Sequence, residues 1–345
     1  MRQALAMLLV LFASCVEADE RLNVSIAEFD PGVPEDRSIH RDLQIFPRIR
    51  EIEGMLLPFT LRESLASSGH WGAVRVVPER DAAAELLIEG SILQSDGHTL
   101  GIRVRASDAL GNSWIDKIYA GTAGSEQIFT VVAADLDAEL AQRSPDELRR
   151  IEEISMLRYG NRLAPSAFDE YLDIDAEGVV TVRRLPSQDD PMVDRIRLIR
   201  ETEYVITDAV DAKFRGLHAD IESVYGLWRE YRRKTNEYEQ QNAERATASY
   251  SAAPRGSYED LLNRYENYKY ARVTAQEQDR LAVAFDNEVG PTVQAMEIRV
   301  AELETWVARK YLEWNRLLEE LFDVETSEGR AVDEEVVEDI NELLD

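Results

Sequence analysis

The apolar residues of this chain follow two different periods, and the change from one to the other constrains the fold more than any other feature. Toward the N-terminus, Leu22, Val24 and Ile26 alternate with Asn23, Ser25 and Ala27, and Leu100, Ile102 and Val104 alternate with Gly101, Arg103 and Arg105. A period of two puts one apolar face on a pleated strand. From residue 191 onward, Ile196, Ile199, Ile206, Val210, Leu217, Val224, Leu227 and Tyr231 fall instead on a seven-residue register, interrupted by Glu203, Lys213 and Asp220. Val293, Met296, Val300, Leu303, Val307, Trp314, Leu317 and Leu321 repeat that register with a break at Lys310. About four heptads in each stretch predict long helices with apolar seams. A strand-built body therefore precedes a helix-built one.

Within the first body the spacing predicts the order β, α, β, β, β, β, α. A strand ends at Phe29-Asp30, and Pro31-Gly32-Val33-Pro34 breaks it. A helix carries Ile45, Ile49, Ile52 and Leu56, then Phe59, Leu61 and Leu65, with Pro58 expected to kink it or to open a second helix and Gly69 to close it. Strands follow at Val74-Arg75-Val76-Val77, at 85–93, at Leu100 to Val104 and at Trp114 to Tyr119, joined by Ser95-Asp96-Gly97 and Ala109-Leu110-Gly111-Asn112 turns. Ser125 is the expected cap of a helix bearing Ile128, Phe129, Val132, Leu136 and Leu140.

Farther on, Ser144-Pro145-Asp146-Glu147 has the form of a capping box. A short helix is expected from Pro165 to Leu172, a small strand or extended connector at 179–185, and a helix start at Asp189-Asp190-Pro191. The breaker-rich stretch from Glu244 to Ser257 is the natural bend between the two heptad segments, so they fold back as an antiparallel hairpin. Tyr250, Tyr258, Tyr265, Tyr268 and Tyr270 cluster around it. Core packing is the bland account of such amphipathic rings, and a partner-facing aromatic patch is the alternative. The segment from Asp323 holds ten acidic residues and Arg330, with Val332, Val336, Ile340 and Leu344 every fourth residue. It suits either an amphipathic helix or a disordered tail.

The fold class expected is an α+β N-terminal domain, an antiparallel meander with helices, followed by an all-α region with a long antiparallel helical hairpin. The divisions are 1–18 as signal segment, 19–143 as the α+β domain, 144–190 as short helices and connector, 191–322 as the hairpin and 323–345 as the acidic tail. The strand ending in Phe29-Asp30, the run LRESLASSGHWGAVRVV and the run AELLIEGSILQSDGHTLGIRVRASDALGNSW together resemble the TolB N-terminal domain family and the periplasmic core of CsgG-type lipoproteins. The whole chain is similar to proteobacterial envelope lipoproteins. That resemblance implies action through protein contacts in envelope assemblies. The amphipathic membrane-inserting hairpins by which CsgG-type proteins form a pore have no counterpart in this sequence.

The first residues carry an address. Met1-Arg2-Gln3 is a short positive start, and Ala4 to Ala13 is apolar, a run too short to span a bilayer as a helix. Leu11-Phe12-Ala13-Ser14-Cys15 resembles a bacterial lipobox, with Phe12 where Leu, Val or Ile is usual. Cys15, the one cysteine of the chain, is the candidate lipidation residue, and Val16 after it implies sorting to the outer membrane. Cleavage after Val16-Glu17-Ala18 would instead discard Cys15 with the signal.

Charge and motifs narrow the chemistry. With 39 Lys and Arg against 67 Asp and Glu, the net charge of −28 repels phosphate backbones, so nucleic acid is not an expected partner. His40, His70, His98 and His218 are scattered without zinc-ligand spacing, and no Gly-rich phosphate loop or serine nucleophile elbow occurs. Asp173-Ile174-Asp175-Ala176-Glu177-Gly178 opens like a calcium loop, but Arg184 stands where the bidentate Glu belongs, so a turn is expected. Asp189-Asp190 suits a helix N-terminus better than acid–base work, and Arg183-Arg184 a solvated surface. No catalytic residue, cofactor or metal site is expected. The leading expectation is a non-enzymatic periplasmic lipoprotein on the outer membrane, contacting envelope proteins through the hairpin and the membrane through its acyl chains, with homo-oligomerisation left open. The alternatives are a binding module for an envelope lipid or glycan and, last, an enzyme with an unfamiliar site.

Overall fold

The computed structural model describes residues 21–40, 45–78, 80–122, 127–175, 179–187 and 190–249, with further positions between 257 and 316. Cys15 and the rest of the signal segment, Ser125, Tyr250, the members of the second heptad register and the acidic tail lie outside the described residues. The elements are β1 (Val24–Ala27), a 3-10 turn (Arg37–Ile39), α1 (Pro47–Ser68), β2 (Val74–Val77), β3 (Leu86–Ser95), β4 (Thr99–Asp108), β5 (Ser113–Thr122) and α2 (Gln127–Leu140). There follow α3 (Pro145–Leu163), the single turn α4 (Pro165–Phe168), β6 (Leu172–Ile174), β7 (Val180–Val182) and α5 (Pro191–Ser249). The protein is thus mixed α/β, with an N-terminal sheet and helices.

The five-stranded sheet has the order β2-β1-β3-β4-β5. Only β3, β4 and β5 form the expected antiparallel meander. β1 runs parallel to both of its neighbours, so the sheet holds a parallel part that the expected meander did not include. The parallel pairs follow from the connections: α1 carries the chain from β1 to β2, and the segment 78–85 crosses to place β3 on the other side of β1. Gly97 and Gly111, both at φ +88°, close the two meander turns in a conformation that side chains with a Cβ rarely adopt. One face of the sheet, with Val24, Ile26, Leu86, Ile88, Ile102 and Val104 all buried, packs with Leu61 and Leu65 of α1 and Val132 and Leu136 of α2 into a single core.

Pro58 neither ends nor divides α1, which is continuous from Pro47 to Ser68. Because proline has no N–H, the carbonyl of Gly54 one turn earlier lacks its helical donor, and the N–H of Phe29, just after β1, donates to it at 2.9 Å. Gly54 permits that approach, since a Cβ there would stand 2.6 Å from the Phe29 carbonyl oxygen. The Gly54/Pro58 pair is therefore the point where α1 receives the end of β1.

Ser144 caps α3 as its sequence suggests: its Oγ accepts from the Glu147 N–H at 3.3 Å, and Glu147 Oε2 accepts from the Ser144 N–H at 2.8 Å. Ser144→Ala should lower unfolding free energy by about 1 kcal/mol in urea titration. A loss within error would mean that solvent replaces the cap. The segment 144–190 is not all helix, because β6 and β7 pair as a small hairpin. In the calcium-like run Asp173 and Ile174 belong to β6 and Asp175 Oδ1 accepts from the Val179 N–H at 2.8 Å, while 176–178 lie outside the described residues. No helix of the described residues is long and apolar enough to cross a membrane.

Candidate interaction surface

Helix α5 continues to Ser249, taking in the first six residues of the stretch where a bend was expected, and its face between Ile196 and Arg232 lies against the sheet domain. At 1.5 Å per residue that face is about 54 Å long. It is not a purely apolar seam. Ile196, Ile199, Tyr225 and Trp228 join the core, but Arg200, Glu203, Thr207, Asp211 and Arg232 are buried with them.

Each buried charge has a partner on the domain. Arg200 reaches Asp81 at 2.6 Å and Glu203 at 2.9 Å, while Arg162 of α3 reaches Asp81 at 3.2 Å and Glu203 at 3.3 Å. The four residues form a closed ring of alternating charge lying over the fully buried Tyr159, whose centroid is 4.4 Å from the Arg200 guanidinium and 5.0 Å from that of Arg162. Burial opposes the charge on Asp81, but Arg200 and Arg162 outweigh it and hold its carboxyl below the usual range. Glu203, which interrupts the heptad pattern in the sequence, is therefore a member of a buried ion network.

Farther along α5, the helix closes the free edge of the sheet. Arg75 of the edge strand β2 makes a bidentate pair with Asp208 at 2.6 and 3.1 Å. Arg62 Nε donates to the Val74 carbonyl at 3.0 Å while its Nη2 lies 3.0 Å from Asp211. A carbonyl of the sheet edge that would otherwise accept from another strand is thereby occupied.

A third cluster lies near the β3–β4 turn. Glu53 of α1 is fully buried; its Oε1 accepts from Ser95 Oγ and, at 2.6 Å, from Tyr225 Oη. Arg50 stands 4.0 Å from Glu53 and is buried too. Trp228 stacks on Tyr225 at 5.7 Å and meets Phe46 edge-on at 5.8 Å, while Arg232 lies over Phe46 at 4.7 Å and donates to the Asp96 carbonyl at 3.3 Å. Gly97 admits Arg232, because a Cβ on Gly97 would stand 2.3 Å from that of Arg232.

Burial pushes the Glu53 carboxyl above its ordinary range, against the opposing pull of Ser95, Tyr225 and Arg50. A carboxyl whose folded pKa exceeds its unfolded value adds stability below the unfolded pKa and loses that contribution as pH rises through the folded one. Glu53→Gln should therefore flatten the fall in thermal midpoint from about pH 4 upward. A wild-type slope in the variant would assign that fall to another group.

Beyond 257, Tyr258, Tyr265 and Tyr268 are 79%, 59% and 60% exposed, so the core-packing account of these rings is overturned. Leu261, Leu262, Val273 and Val283 are exposed on the same segment, at helical spacings that place them with the tyrosines on one side. Arg264, Lys269, Arg272 and Arg280 lie among them, and Arg272 Nη1 donates to Tyr268 Oη at 3.0 Å. Tyr and Arg with exposed aliphatics are the composition that protein interfaces favour.

No protein-family model and no curated protein matches this chain.

Of the other residues singled out in the sequence, Asp190 Oδ1 accepts from the Met192 N–H at 3.0 Å, as a helix cap does, whereas Asp189 lies outside the described residues. Arg183 pairs with Asp173, and Arg184 with Glu170. His70 stands 3.0 Å from Asp137 and His40 2.7 Å from the Pro34 carbonyl, in separate places. Sequence reasoning missed the three polar clusters under α5. The visible signal for the first two was polar residues at helical spacing, with Arg200, Glu203, Thr207 and Asp211 on one helical face beside the apolar register.

Proposed function

We propose that the protein is a non-enzymatic lipoprotein of the periplasmic face of the outer membrane, held by acyl chains on Cys15, that serves as a scaffold or interaction subunit of an envelope assembly. The observation that carries this reading is the exposed aromatic and aliphatic face from Tyr258 to Val283. A monomer gains nothing from holding tyrosines and leucines in water, whereas a partner surface would bury them. Several acyl chains would make the tether stable rather than transient.

The finer architecture belongs to the same reading. The segment 191–322 is a helical hairpin, with α5 as its first limb and the Tyr-rich stretch on its second. Tyr270 Oη donates to Gln241 Oε1 at 3.2 Å, and these two residues are equidistant from the Arg255-Gly256 peptide bond, as antiparallel limbs require. Trp306 packs against the same core as Ile196 and Ile199, which suits a second limb returning along the first. The first limb is clasped to the domain, so the contact surface in this reading is the outer limb.

Two measurements test it. Full-length protein recovered from membranes should bring envelope proteins with it, and Tyr258→Ser/Tyr265→Ser/Tyr268→Ser should lose most of them at an unchanged thermal midpoint. Undiminished recovery by the triple variant would end the scaffold reading. Palmitate should label wild type and leave Cys15→Ala unlabelled, while label retained by that variant would refute the anchor.

A further inference from the structure

The sheet face opposite Leu86, Ile88 and Val104 holds a recess of about 210 Å3, lined by β3, β4, the β2–β3 connection, the β4–β5 turn and α3. Buried Ala84 and Leu87, with Ala106, supply its apolar lining. Three guanidinium groups line it, from three different elements: Arg80 in the β2–β3 connection, Arg105 on β4 and Arg158 on α3. Ser107 and Ser113, paired across β4 and β5 where the register shifts, add two hydroxyls. A bulge of this kind re-aims side chains at the rim of a sheet.

Three carboxylates share the recess: Glu89 pairs with Arg80 and stands opposite Arg105 across the β3–β4 ladder, while Asp108 and Asp116 are held mainly by other donors. Asp108 accepts from the N–H groups of Leu110 and Asn112, from Asn112 Nδ2 and from Trp114 Nε1, all between 2.9 and 3.1 Å. Asp116 is held bidentate by Arg103 at 2.7 and 2.6 Å. Glu89 stands 3.5 Å from Arg80 Nε. Arg158 is anchored by donation from Nη1 to the Ala109 carbonyl at 2.9 Å. Burial, and after it the like charge of Arg80, weakens the hold of Arg158 on its proton. In a chain of net charge −28, cations gathered in one recess oppose the general field rather than follow from it.

We propose that this recess binds a phosphate group through Arg80, Arg105 and Arg158, with Ser107 and Ser113 as further hydrogen-bond donors. A carboxylate is satisfied by one bidentate arginine, whereas donors converging from three elements suit a tetrahedral dianion with oxygens in three directions. The volume lies below the roughly 300 Å3 at which pockets for drug-sized ligands begin, so the ligand is a phosphate with a small substituent. A soluble phosphate monoester and a phospholipid headgroup both present that chemistry. The site lies on the sheet domain and does not rest on the tyrosine face or on the scaffold reading.

The test uses the full chain in about 0.15 M salt, where exposed charges farther apart than about 8 Å are screened. Inorganic phosphate is titrated calorimetrically, and vesicles of phosphatidic acid in phosphatidylcholine, or of phosphatidylcholine alone, are co-sedimented with the protein. Wild type should bind saturably, Arg80→Gln/Arg105→Gln should bind at least about tenfold more weakly, since two charge-assisted donors are lost, and Arg183→Gln/Arg184→Gln should bind like wild type. Phosphate binding without binding to phosphatidic acid vesicles assigns the site to soluble phosphate. Binding to phosphatidic acid vesicles that the double variant loses assigns it to a headgroup. If the double variant fails to fold, Arg105→Gln at its exposed strand position gives the same reading. Wild type binding neither probe, or wild type and the recess variant binding equally, overturns the proposal.

Discussion

Arg200→Met should lower the free energy of unfolding by about 3–5 kcal/mol, the range for breaking a buried ion pair from one side. Arg200 is 4% exposed and spans Asp81 and Glu203, so its loss leaves two buried carboxylates sharing Arg162, whose side chain is 46% exposed. The cation–π contacts over Tyr159 and Tyr204, at 4.4 and 4.8 Å, disappear with it. Urea unfolding near neutral pH measures the loss. Adding Asp81→Asn to Arg200→Met should cost less than Asp81→Asn costs alone, because the carboxylate removed is by then uncompensated. The pH dependence has a definite sign. Asp81 has a folded pKa below its unfolded value, so its contribution is present above the unfolded pKa and is lost as pH falls through the folded one. The gap between wild type and Arg200→Met should therefore narrow in acid. A neutral-pH loss below about 1 kcal/mol, the scale of an exposed pair, would mean that water rather than the ring compensates these charges.

Phe29→Ala should cost about 3–5 kcal/mol, as truncation of a buried aromatic ring does when its surroundings cannot collapse. The ring is 2% exposed and occupies a slot made by the absence of a side chain at Gly90, where a Cβ would stand 2.4 Å from Phe29 Cδ1. The slot is rigid because the Phe29 N–H is fixed to Gly54 O of α1 and the next residue, Asp30, bonds through its N–H to Gly90 O at 2.9 Å. Gly90→Ala in the wild-type chain should cost about 1–3 kcal/mol through overpacking. In the Phe29→Ala background the same change should be nearly neutral, since the new methyl enters the vacated space. Equal costs of Gly90→Ala in both backgrounds, by thermal or urea unfolding, would show that the ring does not fill that slot.

Much of the sheet domain was legible from its sequence. Alternation located β1 and β4, the Gly97 and Gly111 turns closed the meander, Gly69 ended α1, and the Ser144 capping box opened α3 at the expected residue. The position of β1 between two parallel neighbours was not legible, because strand order depends on which distant strand offers an edge. That Pro58 opens no second helix was not legible for a related reason. Taken alone it is a helix breaker, and only the approach of Phe29 turns the freed Gly54 carbonyl into a docking point. Glu203 stood out in the sequence as a defect in an apolar register, when its partners Arg162 and Arg200 make it part of the surface that holds α5 down.

The sequence by itself determined the local periods, the turns, the caps and the excess of negative charge. These depend on residues within a few positions of one another or on simple sums, and need no knowledge of the distant chain. Only the tertiary structure decided which charges are buried and which tyrosines are exposed. It also decided that Arg80, Arg105 and Arg158, spread over almost eighty residues of chain, line one recess. Desolvation and Coulomb energy depend on distance in space, and a linear pattern carries no record of that distance until the chain has folded.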